Sequence, residues 1–246
     1  MSSRPYIVVA VPALALALVV LVVLGLAGVP WLLAVLLGLV AGLALAWWLL
    51  RSPDKSLLQA WGATPLTGEP IVENLVSGLV VTHGFTEPEV AVVSSPGRNS
   101  ALLATQTGAP TLVLTTGLLE CTNRIELEAI LARQLAVIRD VPVAEATLGA
   151  KLVRLAPSVG LARMLRNYLL GSANSFDADR SGALLIRYPP GLTKALETLA
   201  EGSTEVKGVN SDSAHLWLAD PGAVGASTAT ATHPALTDRI TFLREL

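Results

Sequence analysis

Three histidines, one cysteine and one close pair of aspartates are the residues of this chain best suited to catalysis or metal binding. His83, His215 and His233 lie far apart in the sequence. Zinc sites are usually built from ligands at short, regular spacings. A lone histidine is more often a satisfied or exposed side chain than a ligand. Cys121 ends an apolar Leu-Leu-Glu-Cys stretch. A reactive thiolate needs a neighbouring cation or a helix N-terminus, so a small buried hydrophobe is the plainer reading. As the single cysteine it allows no intrachain disulfide. Asp177 and Asp179 are spaced as a carboxylate pair, a type used in acid–base chemistry. Helix N-terminal capping and a pairing with Arg180 account for them more simply. Phosphate loops of the Gly-x-x-x-x-Gly-Lys or Gly-x-Gly-x-x-Gly type are absent from the sequence.

The elements that position these residues begin with an apolar stretch. Charged residues are 15% of the 246, against about 25% in an ordinary soluble domain. No charge falls between Arg4 and Arg51. A single helix over that stretch would reach roughly 70 Å, more than twice a hydrocarbon core of about 30 Å. Two spans fit, at about 6–27 and 31–50, with Gly28-Val29-Pro30 as the turn. Tyr6, Trp31, Trp47 and Trp48 sit near the span ends, where interfaces select amphipathic aromatics. A signal peptide would have an apolar region of only about 7–15 residues. Arg4 lies on the same side of the hairpin as Arg51 and Lys55, and the turn carries no charge. The positive-inside rule then places both termini in the cytoplasm and the chain in the plasma (inner) membrane. Residues 1–50 are the transmembrane hairpin and 51–246 one cytoplasmic domain.

In that domain the patterning predicts a helix over 70–82 ended by Gly84. Strands follow at Glu89–Ser94, Asn99–Thr105 and Thr111–Thr115. Asn123 and Glu126 form a box-like start to a helix running to about Arg139. Residues 143–170 read as helical with a break at Pro157. Further helices are expected at Asn174–Ile186, Gly191–Leu199 and from Thr237 or Asp238 to Leu246. Residues 201–213 and 221–232 read as loops. The fold class expected is α+β, mainly helical, with a small sheet.

The order of these elements resembles the HtpX-like membrane metallopeptidases, a gluzincin-type group that joins membrane helices to a small zinc-protease domain. The segment NSALLATQTGAPTLVLTTGLL (99–119) looks like the family's Asn-Ala-Phe-Ala strand and the strand before its active-site helix. ELEAILARQLAVIRD (126–140) looks like the helix with the His-Glu-x-x-His motif. FDADRSGALL (176–185) and PPGLTKALETLA (189–200) look like the third-ligand helix and its successor. AHLWLADP (214–221) and THPALTDRITFLREL (232–246) look like the closing segments. The resemblance implies a zincin-like fold. It also implies two histidines one turn apart, a glutamate between them and a third ligand on a later helix. Here Arg133-Gln134-Leu135-Ala136-Val137 stands at the motif and Ser175 at the third ligand. Val cannot ligate, Arg repels a dication and Gln is no general base.

The expectation is therefore a chain that is not an enzyme, with no catalytic, metal or cofactor residues and no cofactor. It would be a pseudo-peptidase serving as an accessory or scaffolding subunit of a larger inner-membrane complex, of which a transporter is one class. Its partners would be the bilayer and other membrane-protein subunits. Nucleic acid is excluded by a net charge of −2. Two alternatives stand beside it: a regulator or substrate-capturing adaptor in membrane-protein quality control, and an active peptidase with an unrecognised site. Two surfaces are candidates for binding. Segment 143–170 carries Glu145, Lys151, Arg154, Arg163 and Arg166, too many charges for a span, and suits the anionic leaflet, a partner or the domain's own packing. The Asn99–Thr105 strand is an edge that a partner peptide would extend.

Overall fold

The computed structural model describes residues 4–50, 53–105, 108–140, 143–155, 175–210, 212–222 and 233–246. Two apolar helices open the chain, α1 (Arg4–Leu26) and α2 (Trp31–Leu50), close to the spans expected. Gly28, at φ 81°, makes the turn between them. The two backbones approach closely at two glycines. A Cβ on Gly38 would stand 2.6 Å from the Ala17 carbonyl oxygen, and one on Gly42 2.7 Å from that of Ala13. Small residues at such crossings let apolar helices pack by van der Waals contact, without a hydrophobic drive between them. The outer faces stay apolar and open, with Val11, Leu14 and Leu43 each more than half exposed. An exterior of that kind calls for lipid or another apolar surface.

Residues 53–65 hold two elements that the sequence reading leaves unassigned. α3 (Pro53–Trp61) is followed by the two-residue strand β1 (Thr64–Pro65). Then come α4 (Pro70–His83), β2 (Glu89–Val93), β3 (Ser100–Leu103) and β4 (Thr111–Thr115). Gly84 ends α4 in the left-handed conformation at φ 69°. The sheet order is β1-β2-β4-β3, with β2 and β4 parallel and the other pairs antiparallel. A short α5 (Thr116–Cys121) leads into α6 (Arg124–Asp140) and α7 (Val143–Leu155). α8 (Ser175–Leu185), α9 (Pro189–Ala200), a 3-10 turn (Ala214–Leu216) and α10 (Leu236–Arg244) complete the described elements. The class is the one expected: α+β, mainly helical, with a small mixed sheet.

Side chains alternate across the central strand, as a pleated backbone requires. Leu112 and Leu114 of β4 join α4, α6, α9 and α10 in the larger core. Val113, with Ala101 and Leu103 of β3, faces Leu57, Trp61 and Trp217 on the other side. The sheet is thus covered on both faces.

One sequence expectation about a binding surface is corrected here, and for segment 143–170 one of the readings left open is met in its described part. β3 is an edge strand by order, but its free edge is taken. Ala101 bridges Trp217, and the Leu218 N–H donates to the Ser100 carbonyl at 2.7 Å. The described part of segment 143–170 packs on its own chain. Leu148 and Leu152 of α7 cluster with Val9 and Leu49 of the hairpin. Lys151 Nζ donates to the carbonyls of Trp48 (2.9 Å) and Leu49 (3.4 Å), and lies 4.4 Å from the Trp48 ring centroid. The last carbonyls of a helix lack partners within it, and a cation there also complements the helix dipole. Pro157, Arg163 and Arg166 lie outside the described residues.

Candidate functional site

The centre of interest is where α6, α8 and α10 meet beside β3. α6 starts where its residues dictate. Asn123 Oδ1 accepts from the N–H groups of Ile125 (2.9 Å) and Glu126 (3.0 Å), and Glu126 Oε2 accepts from the Asn123 N–H at 3.1 Å. This is the reciprocal box expected. It sets which faces of α6 meet the sheet and α8. Gly182 then brings α8 against α6, since a Cβ there would come 2.5 Å from the Arg133 Cα. One turn back on α8, Asp179 is fully buried beside Arg133.

Asp179 is the hub. Its Oδ1 accepts from Arg133 Nε at 3.3 Å and from Arg239 Nη2 at 2.7 Å, and its Oδ2 accepts from Arg239 Nε at 2.6 Å. Arg239, on α10, donates in addition to the Leu218 carbonyl at 2.7 Å. The fork geometry suits a guanidinium on a carboxylate. The sequence reading of Asp179 is therefore corrected: its partners are two arginines distant in sequence, not Arg180. Asp177 stays exposed in the first turn of α8.

The polar set continues toward the sheet. Arg133 Nη1 donates to Gln134 Oε1 at 2.9 Å, and Gln134 Nε2 donates to Ser100 Oγ at 2.7 Å. Next to Ser100, all four hydrogen-bonding positions of the Asn99 carboxamide are used. Oδ1 accepts from the N–H groups of Ser100 and Ala219, and Nδ2 donates to the carbonyls of Thr204 and Ala219. Burial lowers the Arg133 guanidinium to about 10, with Asp179 opposing that shift and Arg239 adding to it. It remains a cation at neutral pH.

The other candidates stand apart. His233 is the histidine that comes to the centre. Burial first, then the positive charges of Arg239 and Arg133, push it down to about 4, so it is neutral at pH 7. His215 meets the Ala146 carbonyl at 3.1 Å on the α7 side. His83 is exposed at the end of α4, in an open groove of about 560 Å³ that also holds Arg124, Glu128 and Arg187. Cys121 is half-buried, its thiol pushed up by burial and its Sγ directed at the Leu118 carbonyl. That shift runs against a role as thiolate nucleophile. Val137 is half-buried and Ser175 buried.

A zinc ion does not fit the residues at this place. Arg133 points a cation into it, Gln134 is spent on Ser100 and Arg133, and Val137 offers no donor. Among the described residues, no group of three or more His, Cys, Asp or Glu is arranged to hold a metal.

No protein-family model matches the chain. Several curated relatives do. It is 28% identical over 230 residues to "Protease HtpX homolog" of Dictyoglomus thermophilum, covering 79% of this chain and 76% of that protein. It is 29% identical over 210 residues to the protein of that name from Dictyoglomus turgidum, covering 71% and 69%. With the one from Thermococcus sibiricus it shares 26% over 236 residues. Among solved structures, Ste24p of S. mikatae matches with a TM-score of 0.48 and 17% identity over 94% of this chain. The chain spans 61% of that protein's length. The curated relatives establish the resemblance to HtpX-type proteins, and with the two apolar helices they make this a membrane protein. They also correct one expectation. The relatives are named as proteases over most of their length, which overturns the reading of this chain as no enzyme. Replacement of four side chains tells against one chemistry at one place, not against peptidase function in the chain.

Proposed function

We propose that this chain is a membrane-anchored protein of the HtpX peptidase type that works in membrane-protein quality control. It captures segments of misfolded membrane proteins at the membrane surface and brings them to proteolysis. The observation that carries this reading is the similarity to proteins named as proteases over about three quarters of both chains. The expected role as a subunit of a transporter assembly draws on no feature of the fold or of the relatives. The hairpin has no charge between its flanks, so it supplies an anchor and no pathway. Its basic flanks, Arg4 on one side of the sequence and Arg51 with Lys55 on the other, favour cytoplasmic termini and a cytoplasmic main domain in the inner membrane.

The test is co-expression of the full chain with a misfolding-prone helical membrane protein in bacterial cells. The reading expects the misfolded protein to co-purify with the chain and its half-life to shorten. An unchanged half-life with no co-purification overturns it. For topology, a reporter active only in the cytoplasm, fused after Leu246, should be active. Activity restricted to a reporter that works outside the cytoplasm contradicts the orientation.

A further inference from the structure

The groove at the end of α4 takes no part in the centre. Leu75 and Leu79 of α4 and Ile186 after α8 form its apolar part, within a volume of about 560 Å³. Gly78 lies between the two leucines and lines the groove as well. A Cβ there would meet nothing within 4 Å, so no close packing requires a glycine. A glycine inside a helix costs stability relative to alanine, and here it leaves the groove open. Two guanidiniums, of Arg124 and Arg187, and one carboxylate, of Glu128, line the same space. Arg124 and Glu128 are four residues apart on α6, the spacing of a helical ion pair. Among the described residues, neither they nor Arg187 form one. Arg187 follows α8 at φ 53°, a conformation that helix ends usually give to glycine. The chain keeps a guanidinium there in spite of that preference.

The surroundings of the groove are apolar and open. Among the described residues outside the hairpin, six large apolar side chains are half exposed or more. Four of them adjoin groove-lining positions: Val81 beside Thr82, Ile125 beside Arg124, Leu184 beside Leu185 and Tyr188 beside Arg187. Tyr188, Ile125 and Ile186 also meet around Gly191, where a Cβ would stand 3.1, 3.5 and 3.6 Å from them. Exposed apolar side chains gathered in this way mark a contact surface, and Tyr and Arg are the residues that most often anchor one between proteins. The bilayer is not what covers it. The hairpin meets the rest of the chain through α7, on the Val113 face of the sheet, whereas α4 and α6 pack on the Leu112 and Leu114 face.

We infer that this groove is a docking site for a water-soluble polypeptide segment that carries both apolar side chains and carboxylates. The apolar side chains fill the space over Leu75, Gly78 and Leu79. The carboxylates meet Arg124 and Arg187, which outnumber Glu128, by the charge-assisted contacts that guanidiniums make. A nucleic acid calls for a strongly basic face, and this groove holds a carboxylate of its own. The inference goes beyond the proposed function and does not rest on it.

The experiment uses the full chain in nanodiscs of neutral lipid, with fluorescence anisotropy as the readout and empty nanodiscs as the blank. The probes are labelled peptides of Leu, Ala and Ser, blocked at both ends, with Glu, Gln or Lys at the same positions. The Glu peptide should bind at least about tenfold more tightly than the Lys peptide, the gain expected of one charge-assisted contact. Arg187→Gly supplies the residue that the φ favours, so the chain folds as before. It should weaken the Glu peptide and leave the Gln peptide nearly unchanged. Gly78→Leu fills the groove without touching a charge, and should weaken the Glu and Gln peptides alike. Equal affinity for the three peptides overturns the site, as does binding by Arg187→Gly that matches the parent. Oligothymidylate that binds through Arg187 more tightly than the Glu peptide overturns a polypeptide as the occupant. Dimers of the detergent-solubilised chain that Gly78→Leu dissolves give the groove to a second copy and overturn it too.

Discussion

The hairpin and the α6–α8–α10 centre solve the same packing problem with opposite chemistry. In both, glycine lets two helices come closer than a side chain would allow: Gly38 and Gly42 against α1, Gly182 against Arg133. In the hairpin the surfaces that meet are apolar, so the fit is one of shape alone and no buried charge depends on it. At the centre the close approach delivers a buried carboxylate to two guanidiniums. Replacing a buried ion pair whole is often neutral, whereas removing one member leaves the other stranded. One interface should therefore tolerate change gradually, and the other should fail at a single atom group.

The largest effect expected is from Asp179→Ala, which leaves two buried cations without their anion. It should destabilise the chain by about 3–5 kcal/mol, read by denaturant unfolding in micelles. A loss no larger than that of a surface substitution would break the comparison. Gly182→Ala comes next. The new Cβ meets the Arg133 backbone, which cannot swing aside, and overpacking of this kind costs about 1–3 kcal/mol. Gly38→Ala should part the hairpin helices, seen as slower disulfide cross-linking between cysteines introduced across the crossing. It should leave the unfolding of the remaining chain within about 0.5 kcal/mol of the parent, as distant sites do. Lys151→Met removes the cation from the end of α2 and should cost about 1 kcal/mol, seen as easier proteolysis between hairpin and α7.

The smallest effect concerns pH. His233 has its folded pKa lowered, so the folded state favours the neutral ring. Between its ordinary value near 6.5 and about 4, the unfolded chain binds more protons. Its contribution is fully present above pH 6.5 and is lost as pH falls toward 4. In His233→Asn, unfolding measured from pH 7 to pH 4 should decline less steeply than in the parent. An identical slope would remove His233 from the centre.

The hairpin was legible because its signal is local: an absence of charge, a Gly-Val-Pro turn and aromatics at the ends. The start of α6 was legible too, since Asn123 and Glu126 are three residues apart. The centre was not. Asp179 lies 60 residues from Arg239 and 46 from Arg133, and short-range reading offered Arg180 instead. One signal did exist, in that the aligned motif put an Arg where a metal ligand belongs and so required a buried anion nearby. The covered edge of β3 was hidden for the same reason, because Trp217 closes it from more than a hundred residues away. α3 and β1 were missed because, at nine and two residues, they are shorter than the window of about 11–18 residues over which apolar periodicity is read.

The central claim is that guanidinium–carboxylate contacts hold α6, α8 and α10 where the resemblance places a zinc site. Thermal unfolding of the full chain in micelles, with added zinc and with a strong chelator, tests it most directly. A metal bound to the folded state raises the melting temperature, and its removal lowers it. The account predicts one melting temperature under both conditions, and a large fall in it for Asp179→Ala. A chelator-induced fall reversed by stoichiometric zinc would contradict it.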